Sequence, residues 1–221
     1  MTHSAKPISA TKMAVRTAII LFVFVVIFTA LLSGAYTLTK PAIEAAAAEE
    51  KMKLIDEVLP RGSYDNNLLK ATLRLAPTPE LGQKETSTAY VARRNGAISA
   101  IVIEAVAPDG YSGNIRMLLA LAPDGALLGV RVTQHRETPG LGDYIEPKKD
   151  KNKAHPWIGQ FDGLKPAMVD EREWKVKKDG GRFDSVAGAT VTPRAVVKAI
   201  RKAAVYVAEN HATFFGSGKE Q

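Results

Sequence analysis

The most continuous pattern along the chain is an apolar stretch over residues 17–36 that contains no charged residue. An apolar helix of about 20 residues is long enough to cross a bilayer. The basic residues Lys6, Lys12 and Arg16 precede the stretch, with no acidic residue among them. Because basic residues usually flank the cytoplasmic end of a span, we expect the N-terminus in the cytoplasm and the rest of the chain outside.

The end of the apolar stretch offers a second interpretation. Ser33-Gly34-Ala35 is a run of small residues that could serve as the cleavage site of a secretory signal peptide. The stretch is longer than the ~7–15 apolar residues of such a peptide, which favours an uncleaved anchor. The sequence thus predicts a single-pass membrane protein, with a cleaved signal peptide as the alternative.

An alanine-rich segment follows the predicted span and keeps an apolar edge until Pro60. Its composition and spacing favour a juxtamembrane helix that starts at Pro41 and stops before Pro60. A flexible spacer is the alternative, although the segment lacks the glycine and serine that such spacers contain.

Strand patterns then predict two β-hairpins. Residues 89–92 and 98–106 flank Asn95-Gly96, a pair that favours the positive φ angles of a tight turn. Residues 115–121 and 127–132 flank a second turn at Pro123-Asp124-Gly125. Consecutive hairpins followed by a helix indicate an α+β domain whose antiparallel sheet has one face covered.

The last regular pattern predicts a helix over residues 193–209, with apolar residues at helical spacing. Thr192 followed by Pro193 is typical of a helix start, because a hydroxyl satisfies an early backbone N–H and proline needs no hydrogen bond there. The predicted organisation, in chain order, is an N-terminus (1–16), a transmembrane helix (17–36), a juxtamembrane helix and connector (37–85), the main domain (86–210) and a C-terminal tail (211–221).

Composition narrows the possible chemistry. The chain has no cysteine, so any redox chemistry requires an organic cofactor rather than a cluster held by thiolates. Lys6, Lys12, Arg16 and Lys40 lie around the predicted anchor and carry +4 of the formal net charge of +7, which leaves +3 for the rest. No basic run is interleaved with aromatics, so we predict no nucleic-acid binding. The four histidines lack metal-ligand spacing, so we predict no metal site.

The segment Asp-Ser-Val-Ala-Gly-Ala-Thr, from Asp184 to Thr190, lies just before the predicted helix. The unpaired N–H groups and the positive dipole end of that helix favour an anion near Thr190. Gly188 and Ala189 leave room for a bulky group near the backbone. On these features alone, an ordinary turn before a helix is the simpler interpretation.

This segment resembles the flavinylation motif of the FMN-binding domain family: aspartate, two variable residues, serine or threonine, glycine, alanine, threonine. In that family a separate flavin transferase, which uses FAD, joins the hydroxyl of the last threonine to the phosphate of FMN. By position, Asp184 is the motif aspartate, Gly188 and Ala189 match, and Thr190 is the attachment residue. Ala187 stands where the family has serine or threonine, which removes one possible hydrogen bond to the phosphate or the loop.

Two glycine-containing segments, residues 110–113 and 135–143, resemble loops of the same family. Taken singly, each fits an ordinary turn. Together with the motif they imply a site in which glycines let the backbone approach a flat ring, while hydroxyl and N–H groups bond its polar edge. The implied contact residues are Tyr111, Ser112, Glu137, Thr138, Leu141 and Gly142.

The likeness covers roughly residues 89–207 and is greatest to the G subunits of Rnf ion-translocating electron-transport complexes. It implies a periplasmic FMN-binding domain of α+β fold, anchored in the bacterial inner membrane by one helix. The implied function is electron transfer within a Na⁺- or H⁺-translocating ferredoxin:NAD oxidoreductase, without turnover by the protein alone. The implied partners are the other membrane, iron–sulfur and flavin subunits, and a flavin transferase.

Two alternatives stay open on the sequence. The C subunit of the sodium-pumping NADH:quinone reductase is a near relative that usually has a longer chain. A non-redox envelope protein, such as a binding or assembly module, could use the same fold without a flavin.

Overall fold

The computed structural model describes residues 10–216, and the chain divides into two compact units, Met1–Glu50 and Lys51–Gln221. Residues 1–9 of the predicted N-terminus and residues 217–221 of the predicted tail lie outside the described part. Within residues 10–216 one helix, α1 (Ala10–Val58), is long and apolar enough to cross a membrane. Its large apolar side chains in the predicted span are exposed, as a lipid-facing segment requires.

The predicted juxtamembrane helix is not a separate helix but the second half of α1. The helix α1 continues through Pro41, so the prediction that a helix begins there is wrong. The predicted stop is confirmed, because α1 ends at Val58, two residues before Pro60, and the Leu59 N–H donates to the Ile55 carbonyl at 2.8 Å. Its last residues, 51–58, belong to the second unit.

Five antiparallel strands follow one another in chain order and form a single sheet. They are β1 (Thr72–Leu75), β2 (Ser87–Arg94), β3 (Ala97–Gly110), β4 (Gly113–Leu121) and β5 (Leu127–Gln134). Both predicted hairpins are confirmed, and Asn95 (φ 52°) and Gly96 (φ 80°) adopt the expected positive φ. The edge strand β1 is not evident from the sequence pattern, since it has only four residues.

Both faces of the sheet are covered. The helix α2 (Val191–Glu209) packs on the face that carries Ile103. The opposite face, which carries Val102, is buried beneath Ile55 and Val58 at the end of α1. The prediction of one covered face is therefore wrong, because the pattern within a hairpin does not reveal that a distant helix end returns to it.

Irregular chain with short 3₁₀ turns connects β5 to α2 and is held by aromatic packing. Trp157 meets Phe161 edge to face with ring centroids 5.5 Å apart, and Phe161 stacks on Phe183 at 4.7 Å. Both Trp157 and Phe161 are buried in the core. After α2, the first residues of the predicted tail form a short helix, α3 (His211–Phe215), with Phe214 buried in the core.

Candidate functional site

The candidate attachment residue, Thr190, lies directly before α2. The helix starts at Val191, so the prediction that Thr192 caps its N-terminus is wrong. Thr192 is only 2% exposed and its hydroxyl donates to Oε2 of Glu137, a buried carboxylate. The Thr192 hydroxyl thus forms a long-range hydrogen bond with Glu137 instead of the local bond to the helix backbone that the sequence pattern predicts.

Thr190 itself is half-buried and has helical backbone angles, φ −93° and ψ −18°. Its side chain makes no capping hydrogen bond, and within residues 10–216 its hydroxyl has no partner. In the same described range, the N–H groups of Val191 and Thr192 donate to no backbone carbonyl. A free hydroxyl therefore lies beside unpaired N–H groups at the positive end of α2.

The two glycine-containing segments and the helix turn that follows the motif segment meet at Glu137. Its Oε1 accepts the Ser112 N–H at 3.0 Å, and its Oε2 accepts the Thr192 hydroxyl. The β3–β4 turn, the loop after β5 and the first turn of α2 are thus joined by one carboxylate, which is 4% exposed. Glu137 lies beneath the surface of the site, with both oxygens engaged.

Two glycines allow this close approach. A Cβ on Gly142 would lie 2.7 Å from Oγ1 of Thr192, and a Cβ on Gly110 would lie 2.9 Å from Oε1 of Glu137. Contacts this short are not tolerated without movement of the chain. Packing therefore favours glycine at position 142, against Thr192 and Glu137, and at position 110, against Glu137 and the Gly113 carbonyl.

An apolar surface surrounds the junction. Tyr111 is 69% exposed and Leu141 is 49% exposed, and they belong to the two segments that the Ser112–Glu137 hydrogen bond joins. Among the described residues from 51 to 216, six large apolar side chains are exposed; three of them lie on the three segments, and a fourth directly follows the motif segment. These four are Tyr111, Leu141, Val186 and Val191. Clustered exposure of this kind is typical of a binding surface.

Thr138 supports the loop through its backbone rather than its side chain. Its carbonyl accepts the N–H groups of Leu141 at 3.1 Å and Gly142 at 3.0 Å, while its side chain is exposed. Ser112 is also exposed, and its N–H is the group that bonds Glu137. The hydroxyls of both residues remain at the surface, where a ligand could reach them.

The motif loop is held from below by side chains that sequence reasoning does not assign to the site. The Trp157 indole N–H donates to the Asp184 carbonyl at 2.6 Å, and the Asp184 N–H donates to Gln160 at 2.8 Å. The Tyr144 hydroxyl donates to the Ala189 carbonyl at 3.3 Å and accepts the Val186 N–H at 3.4 Å. No local pattern identifies these contacts, because they span 24 to 45 residues.

The outer side of the motif loop is open. The Asp184 carboxylate is exposed and forms an ion pair with Lys177 at 2.6 Å. Gly188 has φ +84°, and a Cβ there would meet nothing within 4 Å. Ala187 is exposed, whereas Ala189 is buried and faces inward.

Charges around the start of α2 are largely paired. Arg194 forms two 2.6 Å hydrogen bonds with Asp179 and holds the pKa of that carboxyl below its usual value. Burial raises the pKa of Tyr144 to about 12, so its hydroxyl is protonated at neutral pH. Thr190 therefore has the backbone N–H groups of α2 beside it, while Arg194 is already paired with Asp179.

A cleft of about 620 Å³ opens beside the motif loop and is lined by residues that include Trp157, Asp184 and Val186. Tyr111 and Leu141 do not line this cleft. Four of the ring contacts implied by the sequence, Tyr111, Ser112, Thr138 and Leu141, therefore lie on an exposed surface outside that cleft, whereas Glu137 and Gly142 are buried.

Comparison with known proteins agrees with this arrangement. The FMN-binding domain matches residues 110–205, and the RnfG N-terminal region matches residues 1–58. The G subunit of the ion-translocating oxidoreductase complex of Pseudomonas aeruginosa is 44% identical over 195 residues, which are 88% of this chain and 89% of that protein. The G subunit of the same complex from Vibrio cholerae is 41% identical over 192 residues, covering 87% of this chain and 89% of that protein.

Among solved structures, Shewanella oneidensis NqrC matches 62% of this chain and 67% of its own, with 23% identity and a TM-score of 0.40. That partial likeness carries no weight for the site. The sequence relatives extend over nearly the whole of both chains, and the two matched regions cover the apolar N-terminal helix and the domain with the three converging segments. The chain therefore belongs to the family of G subunits of ion-translocating oxidoreductase complexes, as its resemblance to the Rnf proteins predicts.

Proposed function

We propose that the protein carries FMN as a phosphoester on Thr190 and transfers electrons within an Rnf-type complex. The observation that carries this proposal is the free Thr190 hydroxyl beside the unpaired N–H groups of α2. It lies inside the region matched by the FMN-binding domain.

The surroundings of Thr190 suit a phosphate. The N–H groups of Val191 and Thr192 and the positive end of α2 favour its negative charge. In the attachment reaction the Thr190 oxygen forms a bond to the FMN-side phosphorus of FAD, AMP leaves, and the hydroxyl proton is released. Gly188, two residues before Thr190, leaves open space on the outer side of the loop, which suits the approach of a flavin transferase.

Thr190 suits this role better than Thr192, the next threonine. The Thr192 hydroxyl is buried and donates to Glu137, so attachment there would break the junction of the three segments. Thr190 can be modified without the loss of any hydrogen bond in the described range.

The isoalloxazine ring is expected against the exposed surface around the junction. Tyr111 and Leu141 offer apolar area for its faces, and the hydroxyls of Ser112 and Thr138 are suited to its polar edge. When bound, FMN supplies the electron-carrying chemistry. The chain supplies the tether, the surface and the orientation.

Within the complex, the protein is expected to pass electrons between neighbouring redox subunits while the whole assembly moves Na⁺ or H⁺. Its membership of the G subunits of ion-translocating oxidoreductase complexes supports this assignment. The basic residues before the apolar stretch support a domain on the periplasmic side of the inner membrane. A cofactor joined to the chain is retained on that side, where free FMN would diffuse away.

In-gel fluorescence tests the attachment. The full-length protein is co-expressed with its flavin transferase, denatured, separated by electrophoresis and viewed under ultraviolet light. We expect a fluorescent wild-type band and complete loss of fluorescence in Thr190→Ala. The control is Thr213→Ala, which changes an exposed threonine of α3 and should remain fluorescent.

Each outcome has a distinct meaning. A dark wild-type band would contradict the flavin assignment and favour a non-redox binding or assembly module. A fluorescent Thr190→Ala band would reject the attachment residue, and mass spectrometry of the flavin peptide would then identify the residue modified.

A further inference from the structure

Glu137 is a buried carboxyl group with no paired cation among the described residues. It is 4% exposed, and within residues 10–216 it forms no ion pair with lysine, arginine or histidine. In that range its carboxylate is bonded only by the Ser112 N–H and the Thr192 hydroxyl, both neutral donors. Acidic side chains are almost never fully buried without a paired cation, because their desolvation is costly.

The location of this carboxylate argues for a role toward the flavin. Glu137 joins the loop that ends in Gly142, the turn with Ser112, and the α2 turn that follows Thr190. Both of its hydrogen bonds are accepted, which is the pattern of an ionised carboxylate. A fixed negative charge thus lies beneath the surface on which the tethered ring is expected.

We infer that Glu137 is a positioning residue that also sets the reduction potential of the flavin. Its hydrogen bond to Thr192 fixes the first turn of α2, and its charge lowers the reduction potential of FMN carried on Thr190. This inference rests on the proposed function.

The charge of Glu137 is expected to change the reduction potential of FMN through electrostatic repulsion. Reduction of a flavin adds negative charge to the ring, and a nearby carboxylate in a poorly screened environment disfavours that addition. The oxidised flavin is stabilised relative to the reduced flavin. Removal of the charge is therefore expected to shift the midpoint potential to a more positive value.

The test uses the flavinylated full-length protein and redox titration followed by absorbance. Glu137→Gln keeps the shape and an acceptor for Ser112 but removes the charge, and we expect a positive shift of the midpoint potential. Thr192→Val removes the hydroxyl and keeps the charge, so we expect reduced flavinylation without a positive shift. The control is Glu104→Gln, on the sheet face that carries Val102. The Glu104 carboxylate pairs with Arg116 at 2.9 Å, and the midpoint potential of this variant should match that of the wild type.

Two results would overturn the inference. One is an unchanged midpoint potential in Glu137→Gln, and the other is an equal positive shift in Thr192→Val, which would mean that loop disturbance rather than charge is responsible. If Glu137→Gln folds, as judged by circular dichroism, but accepts no flavin, its role as a positioning residue is supported. In that case, and also if Glu137→Gln does not fold, the midpoint potential of Thr192→Val decides on the charge effect. A positive shift of that potential would reject the charge effect.

The fluorescence of the wild-type band separates this inference from the proposed function. A dark wild-type band contradicts the proposed function. A fluorescent wild type with an unmoved potential in Glu137→Gln contradicts only the role of Glu137.

Discussion

Tyr144 joins a 3₁₀ turn to the motif loop through a single oxygen atom. Its hydroxyl donates to the Ala189 carbonyl and accepts the Val186 N–H, so it holds residues on both sides of Gly188. Its ring packs edge to face on Trp157, with centroids 5.6 Å apart. These contacts of Tyr144 hold the inner side of the motif loop, while its outer side stays exposed.

Tyr144→Phe is expected to lower the free energy of unfolding by about 1 kcal/mol, because the ring is kept while a buried hydrogen bond is lost. The difference should also depend on pH. The folded pKa of about 12 lies above the unfolded value, so the stabilisation by the hydroxyl is complete below about pH 10 and falls as the pH rises toward 12. Urea unfolding of the full-length protein in detergent at about pH 8 and above about pH 10 measures both effects.

Tyr206→Phe is the matched control for this substitution. Tyr206 is half-buried, and no hydrogen bond of its hydroxyl is described in residues 10–216. An equal loss of stability in both variants would contradict the role assigned to Tyr144. So would a gap between Tyr144→Phe and wild type that widens as the pH rises above about 10.

At the scale of single residues, the sequence identifies what is local and misses what is distant. The free hydroxyl of Thr190 follows from its place before a helix, and the open position of Gly188 follows from its place in a turn. The partner of Thr192 lies 55 residues away in Glu137, so the local capping rule assigns that hydroxyl to the wrong acceptor. Tyr144 and Gln160 escape sequence reasoning for the same reason.

Among the elements, the end of α1 lies very close to the sheet. A Cβ on Gly129 of β5 would lie 2.6 Å from the Val58 carbonyl oxygen and 3.0 Å from its Cα. The absence of a side chain therefore lets the last turn of α1 lie directly on the strand. Ile55 and Val58 are almost completely buried as a result.

Gly129→Ala is expected to lower the free energy of unfolding of the second unit by roughly 1–3 kcal/mol, since the new methyl group forces the helix end away from the sheet. Gly159→Ala is the control, because its nearest contact would be an ordinary 3.8 Å to Asp162. Denaturant unfolding followed by tryptophan fluorescence compares the two. Equal stability of Gly129→Ala and wild type would show that α1 does not depend on this contact.

At the scale of elements, the hairpins are predictable because Asn95-Gly96 and Asp124-Gly125 mark their turns within the sequence. The covered second face is not, because it depends on residues 51–59 packing against strands that come roughly 30 or more residues later. The junction at Glu137 likewise depends on strand pairing, because the sheet brings the β3–β4 turn and the last residue of β5 to the same end of the strands.

The whole molecule combines an apolar helix that matches the RnfG N-terminal region with a domain that matches the FMN-binding domain. The chain has no cysteine, so one introduced cysteine is a unique label. The charge pattern around the apolar stretch predicts the side of the membrane on which each end lies. The uncleaved anchor and the outward domain can therefore be tested in the same cells.

Lys70→Cys introduces a thiol at an exposed position of the second unit, and Ser4→Cys introduces one before the apolar stretch. In intact spheroplasts, a membrane-impermeant maleimide should label Lys70→Cys and leave Ser4→Cys unlabelled, because only the domain faces outward. After detergent lysis both variants should be labelled, which also requires that Ser4→Cys is retained in the mature chain. Labelling of Ser4→Cys before lysis would reverse the topology, and its absence from the lysed mature protein would mean that the apolar stretch is cleaved.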